Sequence, residues 1–410
     1  MINRERLIKS IEDISKFGAL EGGGITRLAF SKEEKAARKH LLELAGKLGL
    51  SHKEDGFGNI FLTLKGEDST LPSIATGSHL DSVPNGGCYD GALGVMCGLE
   101  AIASIKESGK KPLRDLTLIV FSAEESSRFK MATMGSKLIA GKLDEKRLKE
   151  LKDEDDISAY EAAKEFGCDV LKLDRIKLAN NTFGAYIELH IEQGPVLERL
   201  CIPVGLVNGI AAPVRFELTI EGRADHSGAT PMNMRKDALL MASRIIIALE
   251  NIAKQRKNTV ATVGYVKAKP GVLNVIAGSV TMGVDIRDIS KEELESVDKE
   301  AREMIDELCK KEGFGYSIRE LVKDTPVKLS DNIIELAKNE AKKLDIKTHK
   351  MPSGAGHDAM NMVGIAKDVG MLFIPCKNGI SHNTKEQINY DDAATASNLL
   401  AHMLLSLASR

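Results

Sequence analysis

Three histidines and three carboxylates, His79, Asp90, Glu124, Glu125, His190 and His382, each stand at or just past the end of an apolar, strand-like run. The runs are LPSIATGSHLD, LTLIVFSAEES, GAYIELHIEQG and MLFIPCKNGISHN. Imidazoles and carboxylates form an N/O donor set for divalent ions, and no thiolate trio accompanies them, which excludes the soft-ligand metals. Asp90, after the turn PNGGCYD, has two oxygens with which to bridge two ions. In His79-Leu80-Asp81 the imidazole is a ligand and Asp81 accepts its other ring N–H, fixing the tautomer. Glu124-Glu125 places two carboxylates side by side, and they point to different sides if the strand persists. One can ligate metal while the other receives the proton of the attacking water and passes it to the leaving group. His190 and His382 complete one ligand set on each ion. The pattern is that of a hydrolase with a two-metal centre.

Strands and helices must bring these residues together. In an open α/β sheet, ligands bind in the crevice outside the carboxyl ends of the strands. Strand, loop and helix alternate through residues 55–140, which predicts a mostly parallel sheet. Ser31-Lys32-Glu33-Glu34 reads as a capping box opening a helix that runs to about Gly49. Residues 143–180 are charged and helical, a surface excursion without a catalytic role.

From Val214 the pattern changes. VRFELTIEG and SVTMGVDIRD alternate apolar and polar residues, as half-exposed antiparallel strands do. Between them lies the helix DALLMASRIIIALENIAKQ, and a capping box at Ser290–Glu293 opens another beyond. Two helices on one face of a small antiparallel sheet make a compact α+β unit. The expected architecture is an α/β catalytic domain over residues 1–212 and 328–410, interrupted by a smaller α+β domain over 213–327.

The bulk properties exclude other classes. With 410 residues there is room for two domains, and 43% hydrophobic with 28% charged residues is ordinary for a globular chain. A net charge of −2 gives no footing for nucleic acid or anionic membrane as a partner. No apolar run approaches the roughly 20 residues that span a bilayer. The N-terminal MINRERLIKSIEDI reads as a charged amphipathic helix without the apolar centre of a signal peptide. Six cysteines, Cys88, Cys97, Cys168, Cys201, Cys309 and Cys376, lack paired spacing, which predicts reduced thiols and a cytoplasmic location.

A second group of residues belongs to the inserted domain. The segment GRADHSG, holding His226, ends the strand VRFELTIEG, and Asn274 and Arg287 flank the strand that closes the domain. An arginine with an asparagine can grip a carboxylate through charge-assisted bonds, and a histidine facing the metals can stabilise an oxyanion. Taken singly, each motif has a plainer reading. An isolated HxD or EE is usually a solvated loop or salt bridge, Arg287 alone an ion pair, His226 alone a turn cap. His40, His52, His349 and His402 lie in helical or polar contexts and receive no role. Six donors all at strand ends are what chance does not produce.

The motifs GSHLDSVPNGGCYDGALGV, FSAEESSRF, ELHIEQGPVLE, GRADHSGATPMNMRKDAL, NVIAGSVTMGVDIRD, SGAGHDAM and GISHNTKE resemble the M20 metallopeptidase superfamily, in its amidase/hydantoinase/carbamoylase branch. The resemblance covers essentially the whole chain. It implies that His79, Asp90 and His190 bind one ion, that Asp90, Glu125 and His382 bind the other, and that Glu124 is the general base. Peptidase relatives commonly have a carboxylate in place of His190, so HIEQG favours the carbamoylase side. It further implies that Gln193, His226, Asn274, Arg287 and Gly356 contact substrate and that the insertion is a lid and dimerisation domain of a homodimer. Two divalent ions per subunit are expected, with zinc, manganese, cobalt and nickel all compatible with the donors. Three departures stand out: Ser126 after the EE pair, Ala277 in NVIAG and Thr384 in SHNT. None removes a ligand.

The activity this implies is hydrolysis of N-carbamoyl-L-amino acids to amino acid, carbon dioxide and ammonia. Allantoate amidohydrolase shares nearly every motif and is the nearest rival; the wording VPNGG and GATPM favours the carbamoylase. An aminoacylase or dipeptidase would release no ammonia, and a binding protein would have no need of a base beside a metal.

Overall fold

The apolar runs become strands. The computed structural model describes residues 1–410 and contains β1 (Ser51–Glu54), β2 (Ile60–Leu64), β3 (Ser73–His79), β4 (Leu116–Phe121), β5 (Phe183–Ile191), β6 (Val204–Ile210), β7 (Ala212–Glu221), β8 (Val260–Lys269), β9 (Ser279–Asp288), β10 (Gly315–Lys323), β11 (Val327–Lys328), β12 (Thr348–Ser353) and β13 (Ala366–Ile374). Two compact units result. One comprises residues 1–208, 329–351 and 356–410, and the other 209–328 and 352–355.

In the first unit the sheet order is β1-β2-β4-β3-β5-β13-β6. The four central strands are parallel, β3 pairing with β4 and β5, and β5 with β13. The flanks are antiparallel, β2 on β4 and β6 on β13. All six residues of β4 are buried, as a strand covered on both faces requires. The helix Ala92–Glu107 is buried over Ala92–Ile105 and packs against β3, β5 and the helix Tyr390–Ala408. Its Leu93, Met96 and Ile102 are fully buried, each contributing about 1.5–3 kcal/mol of apolar transfer. This mostly parallel α/β centre is the arrangement the strand–helix alternation predicts.

The second unit is a four-stranded antiparallel sheet in the order β10-β7-β9-β8. Burial alternates residue by residue along β7 and β9. The inward set, including Phe216, Leu218, Met282 and Val284, forms one core with the helices Ala238–Lys254 and Lys291–Glu312. Strands β8 and β10 complete the sheet at its edges, where the sequence pattern pointed only to β7 and β9.

Both expected capping boxes form by half. Ser31 and Ser290 accept the N–H of Glu34 and Glu293, each at 3.2 Å. Neither glutamate returns to the serine. Glu34 accepts from Phe30 N and pairs with Arg38, while Glu293 pairs with Arg256. The complete box is at Ser158–Glu161, opening the helix Ala159–Phe166. Within 143–180, helices occupy Glu145–Glu150 and Ala159–Phe166, and the acidic stretch between them is a turn.

Candidate metal centre

Parallel strands deliver their carboxyl ends to one edge of the first unit. His79 is the last residue of β3 and His190 the last but one of β5. His382 follows β13 after a short 3-10 turn at Lys377–Gly379 and has φ 53°. Asp90 sits between β3 and the helix Ala92–Glu107, in front of Gly91. A Cβ on Gly91 would lie 2.4 Å from the His79 ring, and its φ is +65°, so only glycine fits there.

The strand does not persist through the glutamate pair. β4 stops at Phe121, Ala123 takes φ 52°, and Glu124 and Glu125 project from a turn instead of from opposite faces of a strand. The carboxylate of Asp81 makes that turn. Its Oδ1 accepts Glu124 N–H at 3.2 Å and its Oδ2 accepts Glu125 N–H at 2.9 Å. The ring of His79 therefore finds a different acceptor: Nδ1 lies 3.0 Å from the Asp81 carbonyl oxygen and 3.6 Å from the carboxylate. Asp81 still orients the imidazole, through its backbone.

Two donor groups converge, each with its ligand atoms within 4.8 Å of one another: His79, Asp90 and His190, and Asp90, Glu125 and His382. Asp90 divides its oxygens between them. Oδ1 lies 3.5 Å from His79 Nε2 and 3.1 Å from His190 Nε2, and Oδ2 lies 3.2 Å from His382 Nε2. Glu125 Oε1, buried and without a hydrogen bond, lies 3.4 Å from His382 Nε2. Glu124 Oε2 lies 3.8 Å from His79 Nε2. With the Nδ1 atoms of His79 and His190 directed at the carbonyls of Asp81 and Ile191, both Nε2 atoms face the same carboxylate oxygen.

That convergence is what a cation requires. Asp81, Asp90, Glu124 and Glu125 are all less than a tenth exposed, and buried like charges of this density need positive partners. Burial pushes the Glu124 carboxyl well above the carboxylate range, with His79 opposing and Glu125 adding to the rise. Burial and the nearby Asp90 push Glu125 to about 7. Burial also acts upward on Asp90, but His190, with His382 and His79, holds it well below its ordinary value. The carboxylates draw protons as they would draw cations. Burial opposes charge on His79 and His190, yet Glu124 and Asp90 respectively hold both above the ordinary histidine value. His382 rises to about 9, chiefly through its bond to Asp90. Donor types, their convergence and the orphaned Glu125 oxygen all fit a pair of divalent ions.

The substrate contacts expected from the sequence divide between the two units. In the first unit, Gln193 Nε2 donates to Asp90 Oδ2 at 2.8 Å, and Gly356 is exposed. His226, Asn274 and Arg287 belong to the second unit. There His226 is exposed and its Nδ1 accepts from Gly228 N and Ala229 N. It forms a bridge with Val275, and Asn274 O accepts the N–H of Ser227. Arg287 is engaged by Asp285 through Nε and Nη2, and by the Gly354 carbonyl through Nη1 at 2.7 Å. Arg215 pairs with the same Asp285. Arg215, Asp285 and Arg287 line a cleft of about 500 Å³ with Tyr265 and Gly354, and neither His226 nor Asn274 lines it.

Several buried polar residues escaped the sequence reading. Glu188, His190 and His357 form a third close group, and the His357 ring meets that of His190 edge-on at 4.6 Å. Asp358 accepts the Ser136 hydroxyl at 2.5 Å, and burial raises its carboxyl to about 8. Glu386 accepts the backbone N–H groups of Tyr89 and Asp90. The available signals were a glutamate inside the apolar β5 and polar residues within SGAGHDAM and GISHNTKE.

The chain is similar to proteins of known family. The model of Peptidase family M20/M25/M40 matches residues 75–406. An N-carbamoyl-L-amino-acid amidohydrolase of Pseudomonas sp. is 37% identical, with 98% of each chain covered. An allantoate amidohydrolase of Bacillus subtilis is 35% identical over 97% of this chain and 96% of its own. A crystal structure described as an amidase of the hydantoinase/carbamoylase family from Burkholderia multivorans superposes with a TM-score of 0.95. It is 31% identical and covers 100% of this chain and 98% of that one. With a parallel α/β centre, the acid–imidazole cluster at its strand ends and these matches over nearly its full length, the chain belongs to the M20 peptidase family of hydrolases.

Proposed function

We propose that this chain hydrolyses a C–N bond other than a peptide bond, the ureido bond of N-carbamoyl-L-amino acids. The observation that carries this reading is the adjacent pair Glu124-Glu125, held by Asp81 beside two donor groups that share Asp90. In this reading His79, Asp90 and His190 hold one divalent ion, and Asp90, Glu125 and His382 the other. The chemistry such ions supply is Lewis acidity, which acidifies water and stabilises negative charge developing on oxygen.

Glu124, which ligates neither ion here, takes the proton of the attacking water and returns it to the departing nitrogen. Attack at the ureido carbon breaks the bond to the amino-acid nitrogen and leaves carbamate, which falls to carbon dioxide and ammonia; one water is consumed overall. His226 supports the oxyanion, while Arg287, Asn274 and Gln193 hold the α-carboxylate and Gly356 offers backbone. Arg287 then exchanges part of its pairing with Asp285 for the substrate. The second unit serves as lid and dimerisation surface of a homodimer with a cytoplasmic location. No helix of the structure is long and apolar enough to cross a membrane.

Allantoate is the second reading, favoured by the Bacillus subtilis relative. Ammonia release by the metal-loaded protein on N-carbamoyl-L-amino acids and on allantoate, side by side, separates them. A large preference for carbamoyl acids is expected. Preference for allantoate moves the substrate and keeps the residue roles, and N-acyl amino acids cleaved without ammonia would overturn the ureido reading.

A further inference from the structure

Glu386 is 4% exposed and lies in the segment that follows His382. Its Oε1 accepts the N–H of Tyr89 at 2.9 Å and that of Asp90 at 3.2 Å. Its Oε2 accepts the hydroxyl of Ser381 at 3.1 Å, and that hydroxyl also lies 3.1 Å from Asp90 Oδ2. One carboxylate thus joins the turn bearing Asp90 to the turn bearing His382, far apart in the chain. The fit is tight: a Cβ on Gly87 would fall 2.0 Å from the Glu386 Cδ and Oε1 atoms.

We propose that Glu386 is a positioning residue for the metal centre, setting the approach of the Asp90 turn to the His382 turn and so the geometry with which Asp90 spans both donor groups. The proposal rests on the two-ion reading above. Asp90 is the one ligand common to both groups, and its own N–H and that of Tyr89 both end on Glu386, while the Asp90 and Tyr89 carbonyls accept from Ala92 and Leu93 of the following helix. His382 has a left-handed backbone and a half-exposed side chain, so its direction depends on what holds its neighbour Ser381. A carboxylate that merely capped a turn would contribute stability without touching ion affinity. A positioning carboxylate changes affinity for both ions, because the shared ligand moves.

The test is Co2+ titration of the apoprotein, followed by visible absorption and calorimetry, for wild type, Glu386→Ala, Glu386→Gln, Gly87→Ala and the double Gly87→Ala/Glu386→Ala. Circular dichroism and thermal midpoints of the apo forms run in parallel. The wild type is expected to take two ions per chain. Glu386→Ala weakens Co2+ binding by about 10- to 100-fold and shifts the absorption bands. Glu386→Gln keeps an acceptor for the two amides and loses less. Gly87→Ala reproduces the loss by displacing the carboxylate, and the double variant is no worse than Glu386→Ala alone, since the added methyl then has room. If Glu386→Ala does not fold, Glu386→Gln and Gly87→Ala decide the matter. Wild-type affinity and spectrum in the folded variants would overturn the proposal alone. A wild-type chain taking no Co2+ would overturn the two-ion reading and the proposal with it.

Discussion

Asp81→Asn tests whether the glutamate pair owes its presentation to one carboxylate. Asp81 is fully buried, and its two oxygens accept the backbone N–H groups of Glu124 and Glu125. An asparagine of the same shape keeps one acceptor and turns an N–H2 group toward the other amide. One charge-assisted bond is weakened and one buried donor loses its partner, together about 2–3 kcal/mol. At about 1.4 kcal/mol per tenfold, local opening of the turn becomes roughly 30- to 150-fold more frequent. Amide hydrogen exchange of a peptide spanning Ser122–Ser126 reads this directly, since protection there reports the local opening free energy. The carboxylates would also be held less closely, and a misplacement of about 1 Å is worth roughly 100-fold in rate. Unchanged protection in Asp81→Asn together with near-native turnover would refute the reasoning, because the turn would then be held by something else.

Arg287→Ala should lower kcat/KM for carboxylate-bearing ureido acids about 10- to 100-fold, while neutral amides lose little; equal losses on both classes in steady-state kinetics would dismiss the anchor. Asp115, which accepts from Lys65, Gly66 N and Ser69, has a carboxyl that burial pushes up but these donors together hold below its ordinary value. Its contribution is therefore present above about pH 4 and lost as pH falls through the lower folded value. Urea unfolding should show Asp115→Asn about 1–2 kcal/mol less stable at pH 7, with the gap closing on acidification; a gap that widens in acid contradicts the sign. Exhaustive chelation should abolish turnover and leave far-ultraviolet circular dichroism unchanged, with activity restored by Mn2+, Co2+ or Zn2+. Full activity after verified metal removal would count against any metal role.

The legible features were those that burial enforces. LTLIVF and MLFIP are too apolar for anything but covered strands, and they became β4 and β13 of the parallel centre. VRFELTIE and SVTMGVDIRD alternate because one face is buried, and they became the inner strands β7 and β9. Their edge partners β8 and β10 expose most of their length, so VATVGYVKAK and GYSIRELVK carry little apolar pattern. The candidate metal donors were legible because they stand at or after the ends of apolar runs. Residues that act through others were not. Asp81 was visible as a neighbour of His79, but its grip on Glu124 and Glu125 depends on the left-handed turn at Ala123. Glu386 contacts Tyr89 and Asp90 across nearly 300 residues, a pairing no local pattern encodes. The glutamates of the two expected capping boxes were diverted to Arg38 and Arg256, partners that tertiary structure supplies.

The central claim is a division of labour between adjacent carboxylates, Glu125 holding an ion and Glu124 moving the proton. The most direct measurement is turnover of Glu124→Gln on an N-carbamoyl-L-amino acid, taken together with its metal content. The account predicts two ions per chain, an unchanged circular dichroism spectrum and a rate reduced by about 100- to 10,000-fold. A near-native rate with both ions bound would contradict it and remove Glu124 from the role of base.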